Sequence, residues 1–299
     1  MKLEWDGKSA VAFERLRGGS KKGAYRVTFD DGASAVLYSW GEGENYWPDA
    51  EDDIEPFGDA SGLGLFLAAH ERLTRVGVRV PEVYFADPDR EIALIEDVPG
   101  GKLEDSMDPG VLGKLGESLR AMWGEKADWF GKVGEPVQGR SAVGVVKERA
   151  LRHLDEAAGR DERIGDARAE LVEMVERLAG EVEPREDYRL IHGELGPDHV
   201  MVDRRGDPVM IDIEGLMFFD LEWEHVFLRL RFHDDYRHLA VDGLDERRMR
   251  FYGLAMHLSL VAGPLRLLDG DFPDRELMLE IARYNAEKVL AWGREIDNP

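Results

Sequence analysis

Short apolar runs separated by turn residues characterise the first third of the chain. They lie at 11–16, 24–29, 33–40, 83–85 and 92–95. The Asp-Asp-Gly and Asp-Pro-Asp sequences that separate two neighbouring pairs of these runs are typical hairpin connections. The pattern predicts an antiparallel sheet. One helix, at about 62–76, is predicted between the third strand and the fourth.

From about residue 109 onward, apolar residues recur at helical spacing. Leu112, Leu115, Leu119 and Met122 would share one face of a helix at 110–126. Further helices are predicted at 142–158, 163–182, 223–232, 247–268 and 275–294, with breaks at Pro264 or Gly270 and at Pro273. The sequence thus predicts an α+β protein with a β-rich part at 1–97 and a mainly helical part at 98–299. The Gly/Pro-rich stretch 96–103 would join them.

Three very short apolar runs, at 188–191, 200–202 and 209–213, interrupt the helical pattern. Runs this short, rich in Val and Ile and bounded by Gly, Pro and Asp, predict buried strands joined by turns. Glu194, His199 and Asp212 would then stand at strand or loop ends on a rigid scaffold, where catalytic groups are often found.

The spacing of these residues resembles the catalytic core of the aminoglycoside phosphotransferase family, whose members share the protein-kinase-like fold. That family has His-Gly-Asp, an Asn five residues after the Asp, and a strand ending in Ile-Asp. This chain has His-Gly-Glu at 192–194, His199, and Ile-Asp at 211–212. Asp220 and Glu224 match the spacing of two further family acids, which we expect to hold the segment after Asp212 in place.

The resemblance implies a two-lobed fold, with a small antiparallel β lobe and a larger helical lobe. It also implies transfer of a phosphoryl group from ATP or GTP, with Mg²⁺ or Mn²⁺, to a hydroxyl of a small molecule. Asp212 would bind the metal ion, unless it only caps a turn. Glu194 would accept or orient the hydroxyl proton, and His192, placed with it in the catalytic set, would brace the loop.

Two replacements in this core bear on activity. The longer side chain of Glu194 moves the carboxylate by about 1.5 Å relative to an Asp, and a misplacement of about 1 Å can cost on the order of 100-fold in rate. His199 replaces the Asn that helps hold a second metal ion. Its imidazole could ligate a metal, preferring Mn²⁺ to Mg²⁺; it could also bind phosphate when protonated, or serve only as a structural tie.

In the N-terminal sheet, the connection at 17–23 contains Gly18, Gly19 and Ser20, a composition that suits both a phosphate-covering loop and an ordinary turn. The resemblance predicts a Lys in the third strand, but Tyr38 stands there. The helix Glu that would pair with this Lys is also missing, since its expected place is near Phe66 or Ala68.

Two lysines of the Gly-rich connection, Lys21 and Lys22, could bind the phosphates instead, as a lysine from a neighbouring strand does in the with-no-lysine protein kinases. A solvated pair in a turn is the alternative interpretation. The resemblance also places the adenine against the backbone near Glu96 and Val98.

The excess of acidic over basic residues restricts the classes of molecule that the protein is expected to bind. With 62 acidic and 39 basic residues the net charge is −23, which argues against nucleic acids and anionic membranes and would attract a cationic acceptor. The family resemblance, taken together with this charge, implies a cationic or amino-sugar-like acceptor. Solubility or a saline environment would explain the charge equally well. No apolar run could span a bilayer, and the chain has no Cys, so we expect a cytoplasmic protein. We also expect it to be a monomer or a homodimer.

Acidic residues around Tyr46 and Trp47, in the loop 41–60, could hold a polycationic ligand or form ordinary surface. A different class of function also fits the replacements. The chain could be a catalytically impaired, kinase-like protein that binds a nucleotide or a metabolite without transferring phosphate. A third possibility is a phosphotransferase whose acceptor is a peptide or a natural-product intermediate.

Overall fold

The computed structural model describes residues 3–47, 55–58 and 60–296. Five acidic residues of the loop predicted at 41–60 therefore lie outside the described residues: Asp49, Glu51, Asp52, Asp53 and Asp59. The interpretation of that loop as a site for a polycationic ligand stays a prediction.

An antiparallel sheet forms the N-terminal part. Its strands are β1 (Glu4–Trp5), β2 (Lys8–Arg15), β3 (Gly23–Phe29), β4 (Ser34–Ser39), β5 (Val83–Asp87) and β6 (Ile92–Glu96). Within the described residues they lie in the order β1-β2-β3-β4-β6-β5. Helix α1 (Leu63–Arg75) follows β4, as the sequence predicts.

The two faces of this sheet follow from the alternation along β4. Val36 and Tyr38 belong to the large core that continues into the C-terminal part. Leu37 and Ala35 point to the opposite face, where they pack with Val27 in a smaller cluster. Because successive side chains of a strand alternate between faces, one strand contributes to both cores.

The C-terminal part is mainly helical. Its helices are α2 (Pro109–Trp123), α3 (Ala142–Ala158), α4 (Glu162–Gly180), α5 (Leu221–Phe232), α6 (Glu246–Leu267) and α7 (Arg275–Ile296). The side chains of Asp108, Ser141, Asp161 and Asp245 accept hydrogen bonds from first-turn N–H groups and so fix four of the helix starts. Helix α6 runs through Pro264, so a break at that residue is the wrong alternative.

Short strands position the polar core between the helices. A sheet of β7 (Lys126–Ala127), β8 (Gly131–Lys132), β9 (Glu135–Pro136), β10 (Tyr188–Ile191) and β13 (Met217–Phe219) has the order β7-β10-β13-β8-β9. Strands β11 (Val200–Val202) and β12 (Pro208–Met210) form a separate hairpin. The third predicted run is thus shorter than expected, and Asp212 lies beyond the strand.

Backbone contacts join the two parts near the predicted hinge. The N–H of Met210 donates to the C=O of Arg79 at 2.9 Å, and the N–H of Val202 donates to the C=O of Gly101 at 3.0 Å. Gly100 has φ +121°, and a Cβ there would lie 2.3 Å from the C=O of Val202. Only glycine fits so close to this strand. No helix in the described part of the chain is long and apolar enough to cross a bilayer.

Candidate active site

The buried side chain of Glu224 holds the start of the loop 192–199 through hydrogen bonds to its backbone. Its carboxylate accepts hydrogen bonds from the backbone N–H groups of His192, at 3.2 Å, and Gly193, at 2.7 Å. Burial raises the pKa of Glu224 to about 7, although the two N–H groups favour its ionised form. Glu224 therefore braces the loop that precedes Asp212, whereas we expected it to hold the segment that follows.

Asp220 lies in a separate buried cluster below the loop. It accepts hydrogen bonds from Nε of Arg185, at 2.8 Å, and Nη1 of Arg248, at 2.6 Å, and it contacts the hydroxyl of Tyr252. A fully buried carboxylate needs such partners. Asp220 thus connects the start of α5 to α6 and has a structural position.

The imidazole of His192 links the loop to the segment that carries Asp212. It is buried, and its Nε2–H donates to the C=O of Ile211 at 3.1 Å. Burial lowers the pKa of His192 to about 4, with the neighbouring His199 acting in the same direction. The ring is therefore neutral and braces the backbone; its place in the catalytic set stays a prediction.

His199 faces two carboxylates at the other end of the loop. Its Nδ1–H donates to the C=O of Glu194 at 2.9 Å, which directs Nε2 outward. Nε2 lies 3.5 Å from Oδ2 of Asp212 and 3.5 Å from Oδ2 of Asp198. Arg231 donates to Oδ1 of Asp198 at 2.7 Å. Nε2 can therefore share a proton or a metal ion with the two carboxylates.

Glu194 projects from the middle of the same loop. The residues before and after it, Gly193 and Leu195, are buried, whereas the side chain of Glu194 is exposed. The backbone C=O of Glu194 is tied to His199, so the loop is fixed while the carboxylate remains accessible. This is the placement that an acid or base acting on an incoming molecule requires.

Asp212 adopts a conformation that is uncommon for residues other than glycine. It has φ +59° and lies two residues after the end of β12. Its side chain remains 45% exposed. Desolvation raises the pKa of Asp212, but the positive charge of Lys22 outweighs this effect, with His199 acting in the same direction, and the pKa is held well below its usual range. Such a backbone outlier at a loop end is characteristic of functional sites.

Lys22 reaches Asp212 from the N-terminal sheet. Its Nζ donates to Oδ1 of Asp212 at 2.6 Å and to Oε1 of Glu214 at 2.7 Å. Burial works against the charge of this ammonium, but the two carboxylates outweigh it and raise the pKa of Lys22 above the usual range. Lys21 lies apart, with its Nζ 5.8 Å from the centre of the Trp47 ring. Of the two lysines, Lys22 is thus the one at the site.

The positions expected for the ion pair of β4 and α1 hold an aromatic pair. Tyr38 and Phe66 are in edge-to-face contact with ring centres 5.7 Å apart, and Trp40 packs against both. Nζ of Lys22 lies 5.0 Å from the centre of the Tyr38 ring. Burial raises the pKa of Tyr38 to about 12, so the phenol is neutral. Lys22 therefore occupies the space above the residue that replaces the strand lysine.

Glu214 and Asp198 are residues of this site that the sequence analysis missed. Glu214 is buried, and it binds both Lys22 and the indole Nε1–H of Trp40, the latter at 3.2 Å. A second acid two residues after Asp212, in a chain without the expected helix Glu, was the available signal. Sequence spacing alone could not show that Glu214 points back toward Lys22.

The Gly-rich connection at 17–22 is anchored to the helical part. Ser20 accepts hydrogen bonds from the indole of Trp47, through its hydroxyl, and from the N–H of Tyr46, through its C=O, both at 2.8 Å. Gly18 and Gly19 have φ of +93° and +81°. The ring of Trp47 lies against α6, 3.4 Å from the place of a Cβ on Gly263. The loop that leads into Lys22 therefore has a defined position relative to α6.

At the expected hinge, both the side chain and the backbone N–H of Glu96 are hydrogen-bonded within the N-terminal part. Its carboxylate accepts two hydrogen bonds from Nη2 of Arg79, at 2.7 and 2.6 Å, and its N–H donates to the C=O of Glu82 at 2.9 Å. Val98 is buried beside the start of the join. The side chain of Glu96 is thus structural, and any adenine contact would involve the backbone of the segment around Val98.

The donor set suits a metal ion that arrives with a nucleotide. No group of three His, Asp or Glu side chains in the described residues forms a ready-made metal site. Mg²⁺ is commonly held by one or two carboxylates together with phosphate oxygens and water. Asp212 supplies one such carboxylate, and Nε2 of His199, facing it, adds a nitrogen that suits Mn²⁺ better. These residues fit the ion in the presence of phosphates.

A family model described as "Phosphotransferase enzyme family" (APH) matches residues 12–260. The chain belongs to this family. Its members are phosphotransferases, and the two-part architecture with an antiparallel N-terminal sheet is the protein-kinase-like fold that the sequence analysis predicts. No curated protein sequence matches the chain at a significant level.

Solved structures with the same fold cover nearly the whole chain. A ternary complex of a thermostable aminoglycoside phosphotransferase APH(4)-Ia mutant with ADP and hygromycin B has a TM-score of 0.63 at 18% identity, covering 93% of this chain and 94% of that one. The choline kinase LicA from Streptococcus pneumoniae has a TM-score of 0.63 at 14% identity, covering 95% and 93%. At these identities the likeness establishes the fold.

Proposed function

We propose that the chain transfers the terminal phosphoryl group of ATP, or of GTP, to a hydroxyl of a small molecule. The observation that carries this proposal is the convergence of Lys22, Asp212 and His199. A basic group from the sheet and a metal-competent pair from the helical part meet within hydrogen-bond or near hydrogen-bond distance. Phosphoryl transfer depends mainly on such positioning and charge neutralisation.

Each residue has a role in this proposal. Lys22 binds the phosphates, and Asp212, with His199, holds the Mg²⁺ or Mn²⁺ ion, which when bound neutralises charge on the phosphate oxygens. Glu194 accepts or orients the acceptor's hydroxyl proton. Gly18, Gly19, Ser20 and Lys21 cover the phosphates, and the backbone around Val98 receives the base. The division at 97/98 would then separate the nucleotide-binding lobe from the lobe that binds the acceptor.

A small cationic or amino-sugar-like acceptor is the best-supported class. The structural neighbours include proteins with hygromycin B or spectinomycin bound and a choline kinase. The net charge of −23 would attract such cations. The exposed carboxylate of Glu194 provides a local negative charge at the point where the hydroxyl would arrive.

The alternative is a nucleotide-binding protein without transfer activity. It is motivated by the absence of the lysine expected in β4 and of the glutamate expected in α1. The aromatic contact between Tyr38 and Phe66 is the observation in its favour. Against it, Lys22 restores a positive charge beside Asp212. A chain that no longer needed to bind phosphate would have no need of a buried lysine there, because burying the ammonium is costly.

The test is nucleotide turnover with Mg²⁺ and with Mn²⁺ over a panel of hydroxylated amines and amino sugars, with mass spectrometry to detect a phosphorylated product. Asp212→Asn should lower turnover by at least about 100-fold, since it removes a charge that holds the metal. Asp166→Asn, an exposed position on α4, is the matched control. Nucleotide binding without a product for any acceptor would favour the alternative.

A further inference from the structure

The ammonium of Lys22 is shared by two carboxylates whose environments differ. The side chain of Glu214 is only 4% exposed, whereas that of Asp212 is 45% exposed. One partner is thus enclosed by the fold and the other is open to ligands. A contact that persists when ligands bind must come from the enclosed partner.

We propose that Glu214 is the positioning residue for Lys22 and that it takes over the part of the missing glutamate of α1. This inference rests on the proposed function, because it concerns how the phosphate-binding lysine is held. Trp40 completes the arrangement, since its indole N–H donates to the same Oε1 that accepts from Lys22. Glu214 therefore fixes the direction in which the ammonium points.

The charges favour this division of labour. With both carboxylates ionised, Lys22 and its partners carry a net charge of −1. When phosphate oxygens replace Asp212 as the second partner of Lys22, Glu214 still neutralises the buried ammonium. Without Glu214, a buried lysine would depend entirely on the ligand for its counter-charge, and that would disfavour the ligand-free fold.

Among the described residues, the other side chains packed around Lys22 on that side are aromatic and carry no charge. Tyr38 of β4 and Trp40, which directly follows the strand, are in ring contact with each other, and Phe66 of α1 packs against both. Tyr38 provides a ring face 5.0 Å from Nζ, and Phe66 carries no polar atom. The carboxylate that the family places on the helix is thus supplied from the chain segment after Asp212.

A double-mutant cycle on nucleotide affinity tests the proposal. Lys22→Met, Glu214→Gln and the combined variant are titrated calorimetrically with a non-hydrolysable ATP analogue, with and without Mg²⁺. Lys22→Met should weaken binding by about 10- to 100-fold, as expected for loss of a charge-assisted contact. Glu214→Gln should weaken it about tenfold, and the combined variant should be no weaker than Lys22→Met alone.

Matched variants separate positioning from folding. Glu222→Gln makes the same change at a buried glutamate that pairs with Arg185 outside the cleft, and it should lower thermal stability without changing nucleotide affinity. Trp40→Phe removes the indole donor and keeps an aromatic ring at that position. It should weaken binding in the wild-type background and have no further effect when combined with Glu214→Gln. Glu214→Asp should recover part of the affinity.

Two results would overturn the inference in different ways. If wild type binds the analogue and Lys22→Met weakens it, but Glu214→Gln binds as wild type does, or the two effects simply add, Glu214 does not position Lys22. The proposed function would survive that outcome. If wild type binds no nucleotide, the proposed function fails and the positioning role fails with it.

Discussion

Nζ of Lys22 lies 2.6 Å from Oδ1 of Asp212, although 190 positions separate the two residues in the chain. The contact joins the entrance of β3 to the end of β12 and so connects the sheet to the helical part. It also occupies the carboxylate that the proposed function assigns to a metal ion. Lys22 and a metal ion would therefore compete for Asp212 until a phosphate draws the ammonium away.

Because of this competition, removing the Lys22 ammonium should change the affinity for a metal ion and the affinity for a nucleotide in opposite directions. Lys22→Met should raise the affinity for Mn²⁺ in the absence of nucleotide, by roughly tenfold, because it removes a charge that repels the ion and occupies Oδ1. Electron paramagnetic resonance of free Mn²⁺ measures this directly. Lys21→Met, whose ammonium lies over Trp47, should leave the Mn²⁺ affinity unchanged. A lower Mn²⁺ affinity in Lys22→Met would show that Lys22 and the ion do not compete for Asp212.

The exposed carboxylate of Glu194 predicts a requirement for charge at that position. Glu194→Gln should lower kcat by about 100-fold or more while leaving nucleotide affinity within about twofold, because the side chain contacts the acceptor and not the nucleotide. Glu194→Asp tests the reach of the side chain. It should retain more activity than Glu194→Gln if the negative charge matters more than the added methylene. Equal activity in wild type and Glu194→Gln would rule out the proposed role.

Local patterns were enough to predict most of the fold. The alternation along β2 to β4, the turn sequences between them and the amphipathic spacing of α2 to α4 each have a local cause, and the predicted bounds agree to within about three residues. Five strands of two or three residues, β1, β7, β8, β9 and β13, were missed because segments this short show no alternation that distinguishes them from loop or core residues. The break at Pro264 was wrong because α6 packs against its neighbours on several sides, and packing outweighs the loss of one backbone hydrogen bond.

Site residues could be predicted where the type and spacing of residues identify them. They could not be predicted where the direction of a side chain depends on how distant strands pair. Glu194, His199 and Asp212 follow from spacing, and the structure places His199 beside Asp212 and ties it to the Glu194 backbone. Lys21 and Lys22 are equivalent in sequence, yet adjacent side chains at a strand entrance point in different directions, so only the pairing of β3 with β4 selects Lys22. The positive φ of Asp212 and the inward turn of Glu214 depend on long-range contacts in the same way.

The two glycines of the connection at 17–22, Gly18 and Gly19, provide a matched pair. Both have positive φ, so Gly18→Ala and Gly19→Ala should each lower the free energy of unfolding by about 1 kcal/mol. A Cβ on Gly19 would also lie 2.8 Å from the C=O of Lys22, whereas nothing lies within 4 Å of one on Gly18. Gly19→Ala should therefore cost more stability, as denaturant unfolding would measure. Equal decreases in the free energy of unfolding would show that the backbone at Lys22 moves away from the added Cβ without destabilising the protein.

Glu224 predicts a pH dependence of stability. Its pKa is raised by burial to about 7 from an ordinary value of 4.5, so protonation favours the folded state. Its contribution is fully present below pH 4.5 and is lost as the pH rises through about 7, a change of roughly 2–4 kcal/mol. Glu224→Gln cannot titrate at this position. The difference in free energy of unfolding between wild type and Glu224→Gln should shift with pH in that window, to the disadvantage of wild type at higher pH; a constant difference would contradict the raised pKa.

A crystal structure of the complex with Mg²⁺ and a non-hydrolysable ATP analogue would give the distance from Nζ of Lys22 to the nearest phosphate oxygen, and this distance decides whether Lys22 binds the nucleotide. We expect a hydrogen bond of about 2.7–3.2 Å, with the Glu214 contact retained and the Asp212 carboxylate released to the metal ion. A complex in which Lys22 still bridges Asp212 and Glu214, with the phosphates bound elsewhere, would contradict this expectation.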